Sequence, residues 1–312
     1  MQRKPTRPND AHILSALPIF EAVHRLGSFT RAGAELGLTQ SAVSRRIQAL
    51  ENILGVVLFS RRGRALKITE DGLRLGETAL AALTLIEKTR QALGGPISGA
   101  IRIGVMNSLG ALWLAPRLGR FVENNPDVSL TMTTIDSDFS ASHKDPVTWD
   151  PSALDIVLTW GFGGWRALVA RPFYREEMVP VCSSAFLKKN SVAEPEDIYQ
   201  ATRLIHTTRA GAWRTYAETL GLTLPAGFNE VQGSLAFEHF FMIREAAIAG
   251  AGIGLFPKLL VQEDLQQGRL IACAPAVRSG AHYAIVASQA ALNRPAVAAL
   301  VQWIEEEAKA VQ

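Results

Sequence analysis

The sequence predicts an α/β protein with a mainly α-helical, winged helix-turn-helix head and a linker helix leading into an alternating strand-and-helix body. Three observations predict this. Two helical patterns separated by a short glycine-containing turn are followed by a basic hairpin, the order of a winged helix-turn-helix. A proline-free helical stretch comes next. From residue 98 onward, strands alternate with helices of about 10–15 residues, which points to parallel βαβ units. At 312 residues, 48% hydrophobic and 20% charged, the chain has the length for two or three domains and the composition for a packed core.

In residues 13–25, ILSALPIFEAVHR, the side chains of Leu17, Phe20, Ala22 and Val23, with Leu26, recur at helical spacing. Gly27-Ser28 stops that helix. Thr30 is the expected N-cap of a short second helix, RAGAEL, which ends at Gly37. Thr39 is a second N-cap, for QSAVSRRIQALENIL, in which Val43, Ile47 and Leu50 form the buried stripe. The runs VVLF and ALKIT flank Arg62-Gly63 and read as a hairpin, or wing, carrying Arg61, Arg62, Arg64 and Lys67. Over 71–93 the residues Leu75, Ala79, Ala82, Ile86, Thr89 and Leu93 make an a/d-like seam. That seam fits either pairing with a second copy or packing on its own domain. Gly94-Gly95-Pro96 reads as a hinge.

In the body, strands are expected at 100–105, 128–134, 154–160, 178–182, 204–206, 253–256 and 282–287. Helices are expected at 108–123, 212–220, 237–249 and 295–308. The segment MVPVC at 178–182 is a candidate for crossing into a second lobe. The organisation expected is a head over 1–72, a linker and hinge over 73–96, and a body over 97–312.

Residues 1–72 hold 11 Lys+Arg against 6 Asp+Glu, a balance of +5, whereas the remainder holds 21 against 23. A basic head on a slightly acidic body suggests that the head meets a polyanion. With Val43, Ile47 and Leu50 turned inward, the second helix of the pair presents Gln40, Ser41, Ser44 and Arg45 at its start. Glutamine can pair with adenine and arginine with guanine in the major groove of double-stranded DNA, and serine is permissive. Arg46 is better placed for a phosphate, as is Arg31 near the start of the preceding helix. The wing arginines would follow the backbone or the minor groove. The bland alternative is a helical hairpin with a solvated basic face.

The segment SFTRAGAELGLTQSAVSRRIQALENILGVVLFSRRGRALKITEDG closely resembles the N-terminal domain of LysR-type transcriptional regulators, over about residues 17–72. TQSAVSRRI and LTWGFGGW resemble most the subgroup around the glycine-cleavage activator. The resemblance implies DNA contacts from Gln40, Ser41, Ser44, Arg45 and Arg64. It also implies a body of two Rossmann-like lobes resembling a periplasmic binding protein, lobe I over about 97–178 and 281–312 and lobe II over about 179–280. A small-molecule effector would sit between the lobes. The family's plan further implies self-association into dimers and tetramers and contact with RNA polymerase. Gly33 departs from the alanine common in the family, at a cost of about 1 kcal/mol in helix propensity.

The sequence independently offers an interlobe site. Asn107-Ser108 follows the first body strand and opens a helix, where backbone N–H groups favour an anion, and Ser108 is equally readable as a plain N-cap. LIHTTRAGAW puts His206, Thr207 and Thr208 at a strand end, and Phe237 and Glu238 are expected to begin the next helix. Trp160, Trp165 and Trp213 are candidate walls. Such a site suits a small organic acid or amino acid. The runners-up are a solute-binding module with a protein-contacting head and an α/β enzyme with a DNA-binding appendage.

Catalytic signals are weak. The six histidines show no metal-ligand spacing, and no G-x-S-x-G, Walker A or G-x-G-x-x-G motif follows a strand, so no catalytic residue, metal or cofactor is implied. GAGIGLFP enters a strand rather than leaving one, and its glycines suit close packing of helix on strand. The flanks of the two cysteines, VPVCS and IACAP, fit buried, inert thiols better than a redox switch. With no apolar run long enough for a membrane span and no signal segment at the polar start, a cytoplasmic location is expected and no membrane partner.

Overall fold

The computed structural model describes residues 8–62, 65–92, 96–135, 138–140, 143–145, 153–163, 168–190, 192–209, 211–229 and 233–311. The head comprises α1 (Pro8–Leu26), α2 (Phe29–Leu36), α3 (Gln40–Leu54) and strands β1 (Phe59–Arg62) and β2 (Ala65–Ile68), and the long α4 (Glu70–Ala92) leads away from it as the linker. Leu17, Phe20, Ala22 and Val23 of α1 are buried against Ala32 of α2 and against Val43, Ile47 and Leu50 of α3. Full burial is worth about 1.5–3 kcal/mol for each of those three α3 side chains, so the stripe fixes which face of α3 points outward.

The caps of the helix pair differ in one place from expectation. Thr39 caps α3, its Oγ1 accepting from the Ala42 N–H at 3.2 Å. For α2 the cap is Ser28, not Thr30: Ser28 Oγ accepts from the Arg31 N–H at 3.3 Å, and Thr30 lies inside the helix. Phe29, packed against Phe59 at 6.0 Å between ring centroids, draws the helix start back by two residues. Gly37 closes α2 at φ 66°, a left-handed conformation that glycine adopts without a Cβ penalty. At Gly33, a Cβ would meet the Leu38 carbonyl oxygen at 2.6 Å, so the glycine lets the turn fold back closely on α2.

The first wing strand starts at Phe59, later than the expected run VVLF. The Glu51 carboxylate explains the shift: it accepts the backbone N–H groups of Leu58 and Phe59 at 2.7 and 3.2 Å, tying the approach to the hairpin to α3. β1 and β2 pair antiparallel with Phe59 opposite Ile68. Thr69 then donates to the Val57 carbonyl at 2.6 Å and accepts from the Gly72 N–H, joining the wing base to the start of α4.

The seam of α4 divides into two parts. Ala79 is buried and Leu75 and Ala82 are partly buried against the head, so these three pack on their own domain. Ile86 and its neighbour Leu85 are exposed, as is Thr89. Leu93 and the hinge glycines Gly94 and Gly95 lie outside the described residues.

The body begins with β3 (Ser98–Val105), α5 (Asn107–Leu109) running into a π-helical turn (Gly110–Leu114), α6 (Leu118–Asn124), β4 (Asp127–Thr134), a hairpin of β5 (Asp138–Ser140) and β6 (His143–Asp145), and β7 (Ile156–Gly161). It continues with β8 (Val169–Cys182), α7 (Ser184–Lys189), β9 (Arg203–His206), α8 (Ala212–Leu220), β10 (Ser234–Phe237), α9 (Phe240–Ile248), β11 (Ile253–Pro257), α10 (Lys258–Gln266) and β12 (Ile271–Ala272). The chain returns through β13 (Val277–Ala287), α11 (Gln289–Leu292) and α12 (Pro295–Lys309). The single helix expected over 108–123 is therefore interrupted; Pro116, which cannot donate a helical N–H, lies at the break.

One curled sheet runs through the body in the order β10-β9-β11-β8-β13-β7-β3-β4. β3 pairs parallel with β4 and β7, and β9 pairs parallel with β10 and β11, which are the expected βαβ arrangements. The long strands β8 and β13 run antiparallel through the middle and are shared by both lobes. Core side chains such as Ile103, Trp113, Leu158, Phe240 and Val301 fill one cluster. Trp213 sits in a second, with Tyr199 and Tyr216, and so is a core residue of lobe II and not a cleft wall.

At the foot of lobe I, the buried Asp155 carboxylate accepts the Arg102 backbone N–H at 2.8 Å and binds the guanidinium groups of Arg102 and Arg294 at 2.9 and 2.7 Å. Burial pushes its pKa up, but the hydrogen bonds and charges of the two arginines outweigh that and hold it below the usual carboxylate value. The GAGIGLFP glycines behave as expected. A Cβ on Gly254 would meet Ile243 of α9 at 3.0 Å, and one on Gly252 would meet the Thr202 carbonyl at 2.6 Å. The two cysteines are closer than their flanks suggest: Cys273 Sγ on a half-buried segment lies 3.7 Å from the buried Cys182 Sγ. Among the described residues no helix is long and apolar enough to cross a membrane.

Candidate functional site

On the head, the inward stripe of α3 leaves Gln40, Ser41, Arg45 and Arg46 exposed and Ser44 partly exposed. Ser41 Oγ lies 3.1 Å from the capping Thr39 Oγ1, which sets it at the very start of the helix. Three other arginines of the head and linker are paired with carboxylates: Arg25 binds Glu21 and Glu35, Arg74 binds Glu70 and Arg90 binds Glu87. Arg45 and Arg46 have no carboxylate partner among the described residues, so α3 carries uncompensated positive charge at the surface. Arg31 is exposed, with its guanidinium donating to the Leu26 carbonyl. Arg61 and Arg62 lie on β1 and not at the turn where the sequence put them, because the strand is shifted toward the tip, and Arg64 lies outside the described residues.

In the body, the segment after β3 and the end of β7 meet the segments after β9 and β10 and the start of α9, so the gap between the lobes stands closed here. Open α/β sheets bind ligands at such strand ends. Asn107 and Ser108 reach across this gap. Ser108 Oγ, buried, accepts the Phe240 N–H at 3.0 Å, and Asn107 Nδ2 lies 3.4 Å from His239 Nε2. Ser108 is therefore not an N-cap of its own helix: Met106 occupies that position without a side-chain cap, and the hydroxyl instead meets the start of α9. Asn107 Oδ1 is buried without a hydrogen-bond partner among the described residues.

Phe237 and Glu238 do not open α9. Phe237 ends β10, paired in parallel with His206 of β9; Glu238 is exposed in the bend, and α9 starts at Phe240. The pairing of SLAF with β9 extends the chain over residues that a local helical pattern would claim. The Phe237 carbonyl accepts the Thr207 N–H at 2.9 Å, leaving the Thr207 side chain exposed at the rim. Thr208 Oγ1 lies 2.9 Å from His206 Nδ1.

The residue after Thr208, absent from the sequence-predicted set, sits among the aromatic groups of the gap. The Arg209 guanidinium lies 4.2 Å from the ring centroid of Trp160 and 5.1 Å from that of Phe240. Its Nη1 donates to Glu176 Oε1 at 2.9 Å, and Ser279 Oγ donates to Glu176 Oε2 at 2.7 Å. Glu176 is on β8 and Ser279 on β13, so the central strands supply the counter-charge. Trp160 is the one sequence-predicted wall that lies here; Trp165 is outside the described residues. An arginine just past a buried strand end was the available signal for Arg209.

Comparison with known proteins agrees with this arrangement. Residues 14–73 match the bacterial regulatory helix-turn-helix protein, lysR family, and residues 94–309 match the LysR substrate binding domain. The chain is 34% identical over 305 residues to the glycine cleavage system transcriptional activator of Escherichia coli (strain K12), covering 96% of this chain and 95% of that protein. It is 33% identical over 306 residues to the HTH-type transcriptional regulator TrpI of Pseudomonas aeruginosa, covering 96% and 98%. In fold it is similar to CrgA, a LysR-type transcriptional regulator from Neisseria meningitidis, with a TM-score of 0.54 at 22% identity over 98% of this chain and 99% of that one. It is also similar to the AmpR effector binding domain from Citrobacter freundii, with a TM-score of 0.55 at 22% identity over 68% of this chain and all of that one. A helix-turn-helix head with an outward basic helix, joined to a two-lobed substrate-binding body, thus places this chain in the LysR family, as a LysR-type transcriptional regulator with an effector-binding domain.

Proposed function

We propose that α3 lies in the major groove of operator DNA and that the interlobe gap takes a small organic acid or amino acid that sets the regulator's state. The observation that carries the DNA reading is the unpaired, outward face of α3. Gln40 and Arg45 read base edges there, Ser41 and Ser44 accept either base, and Arg46 meets a phosphate. Arg31 and the wing arginines Arg61, Arg62 and Arg64 follow the backbone and supply salt-dependent affinity. Asn107, Ser108, Trp160 and Thr208 form the effector site with Arg209, Thr207 and Glu238 lie at its rim, and Phe237 supports it through β10.

The head over 1–72, the linker over 73–96 and the two-lobed body over 97–312 then divide the work. Two copies pair through the exposed part of α4, where Leu85 and Ile86 await cover, so that two heads meet two half-sites. Dimers associate further into tetramers on the operator. An effector that prefers one lobe arrangement shifts the population of states and thereby the placement of the heads and the contact with RNA polymerase. The names of the relatives as activators favour activation as the output. The chain works in the cytoplasm and catalyses no reaction.

A mobility-shift titration with the duplex upstream of its own gene tests the reading. Wild type is expected to give a retarded complex that the same duplex competes and an unrelated duplex does not. Ser108→Trp, which wedges the gap, is expected to keep that complex and to lose any response to small acids. Loss of DNA binding together with the response would contradict the division between head and cleft.

A further inference from the structure

The interlobe gap holds an arginine that is only partly used. The Arg209 side chain is 9% exposed, and its Nη1 donates to Glu176 at 2.9 Å and lies 3.6 Å from Met178 Sδ, with the Tyr283 hydroxyl close by. Nε and Nη2 are buried with no hydrogen-bond partner among the described residues. Those two nitrogens share one edge of the guanidinium plane, and their parallel N–H bonds form the fork that a planar carboxylate accepts side-on. Leaving such donors buried and unmet is costly, more so on a charged group, and the Trp160 and Phe240 rings against the guanidinium offset only part of that. The Trp160 indole N–H beside them is equally buried and unmet. Across the gap, Asn107 Oδ1 is a buried acceptor without a donor. Phe240 links the two ends, its N–H on Ser108 and its ring against Arg209.

Charge balance narrows the ligand. Arg209 and Glu176, which is fully buried, already neutralise each other. A simple carboxylate on the free fork would leave one net negative charge in a desolvated site, which proteins avoid. A ligand that brings its own cation keeps the site neutral, and Asn107 Oδ1 is an acceptor for it. We infer that the gap binds a small zwitterionic α-amino acid, its carboxylate on Nε and Nη2 of Arg209 and its ammonium on Asn107 Oδ1. This rests on the reading of the gap as the effector site. The orphaned atoms are shielded from solvent as the lobes stand, so the ligand enters when the lobes part along β8 and β13 and re-closes them around itself. The Ser108–Phe240 and Asn107–His239 contacts are the ones that the parting breaks.

Thermal-shift and calorimetric titration of the full chain with the twenty standard α-amino acids test this. At least one is expected to raise the melting temperature at millimolar concentration, while its N-acetyl derivative, which lacks the ammonium, and its carboxamide, which lacks the carboxylate, do not. Arg209→Lys keeps the charge beside Glu176 but loses the fork, and is expected to weaken binding at least tenfold. Asn107→Leu leaves the ion pair untouched and is expected to weaken it by a similar factor, so the test survives if one variant fails to fold. Equal binding of the blocked derivatives, wild-type affinity in either folded variant, or no response to any amino acid would overturn the inference. If other small acids then bind and Ser108→Trp abolishes their effect, the gap remains the effector site and only its assignment to amino acids falls; if nothing binds, the effector reading falls with it.

Discussion

Replacing both Gln40 and Arg45 by alanine is expected to remove most of the sequence preference of the regulator while leaving its fold intact. Both side chains are exposed on α3, opposite the stripe of Val43, Ile47 and Leu50 that holds the head together. A good bidentate contact to a base edge is worth about 1–3 kcal/mol. Two such contacts at separate positions add roughly, so specific affinity should fall by about 2–6 kcal/mol, a factor of 30 or more. Binding to unrelated duplexes should change far less, since only one of the two residues carries charge. Arg46→Ala should behave in the opposite way, weakening all duplexes alike and lowering the salt dependence by about one phosphate contact. Fluorescence-anisotropy titrations on specific and unrelated duplexes at two salt concentrations separate the two patterns.

The second large effect concerns stability. Asp155→Asn removes the charge that two arginines converge on, at a side chain 6% exposed. Breaking a buried pair by removing one partner costs about 3–5 kcal/mol, and the lower end applies here because Arg102 and Arg294 keep 19% and 27% exposure, so water reaches the charges left behind. For a body of this size that lowers the melting temperature by roughly 6–12 °C. The pH dependence has a definite sign. The Asp155 pKa is lower in the folded chain than in the unfolded one, so its stabilisation is complete above the unfolded value of about 4 and is lost as the pH falls through the lower folded value. Wild type should therefore lose stability in that acid window, and the variant should lack this component. The same cluster, with Glu21, His24 and Arg25 of the head, lines a cavity of about 310 Å³, so loosening it also loosens the seat of the head on the body.

The helix-turn-helix was legible because its evidence is local. Apolar spacing in α1 and α3, a hydroxyl at Thr39 and glycines at the turns each act within a few residues. The choice between Ser28 and Thr30 as cap was not legible, since both are hydroxyls and the decision lies with Phe29 packing on Phe59, thirty positions away in the chain. The start of α9 was misplaced for the same kind of reason: SLAF is a strand only because β9 offers it an edge. Spacing in α4 showed an apolar seam but not which part of it the chain's own head would cover. Strand alternation gave the parallel units of the body, whereas the two central antiparallel strands depend on a return of the chain after about a hundred residues. The site in the gap was half legible. Asn107, Ser108 and Trp160 stand at strand ends, where ligands are expected, but Arg209 gains its meaning from Glu176 and Ser279 on the two central strands.

Selection of binding sites from randomised duplexes, run in parallel with wild type and Arg45→Ala, tests most directly whether α3 reads DNA. The variant is expected to lose its preference at one base pair in each half-site and to keep the remaining positions. Identical preferences in the two proteins would contradict this, and another part of the head would have to be doing the reading.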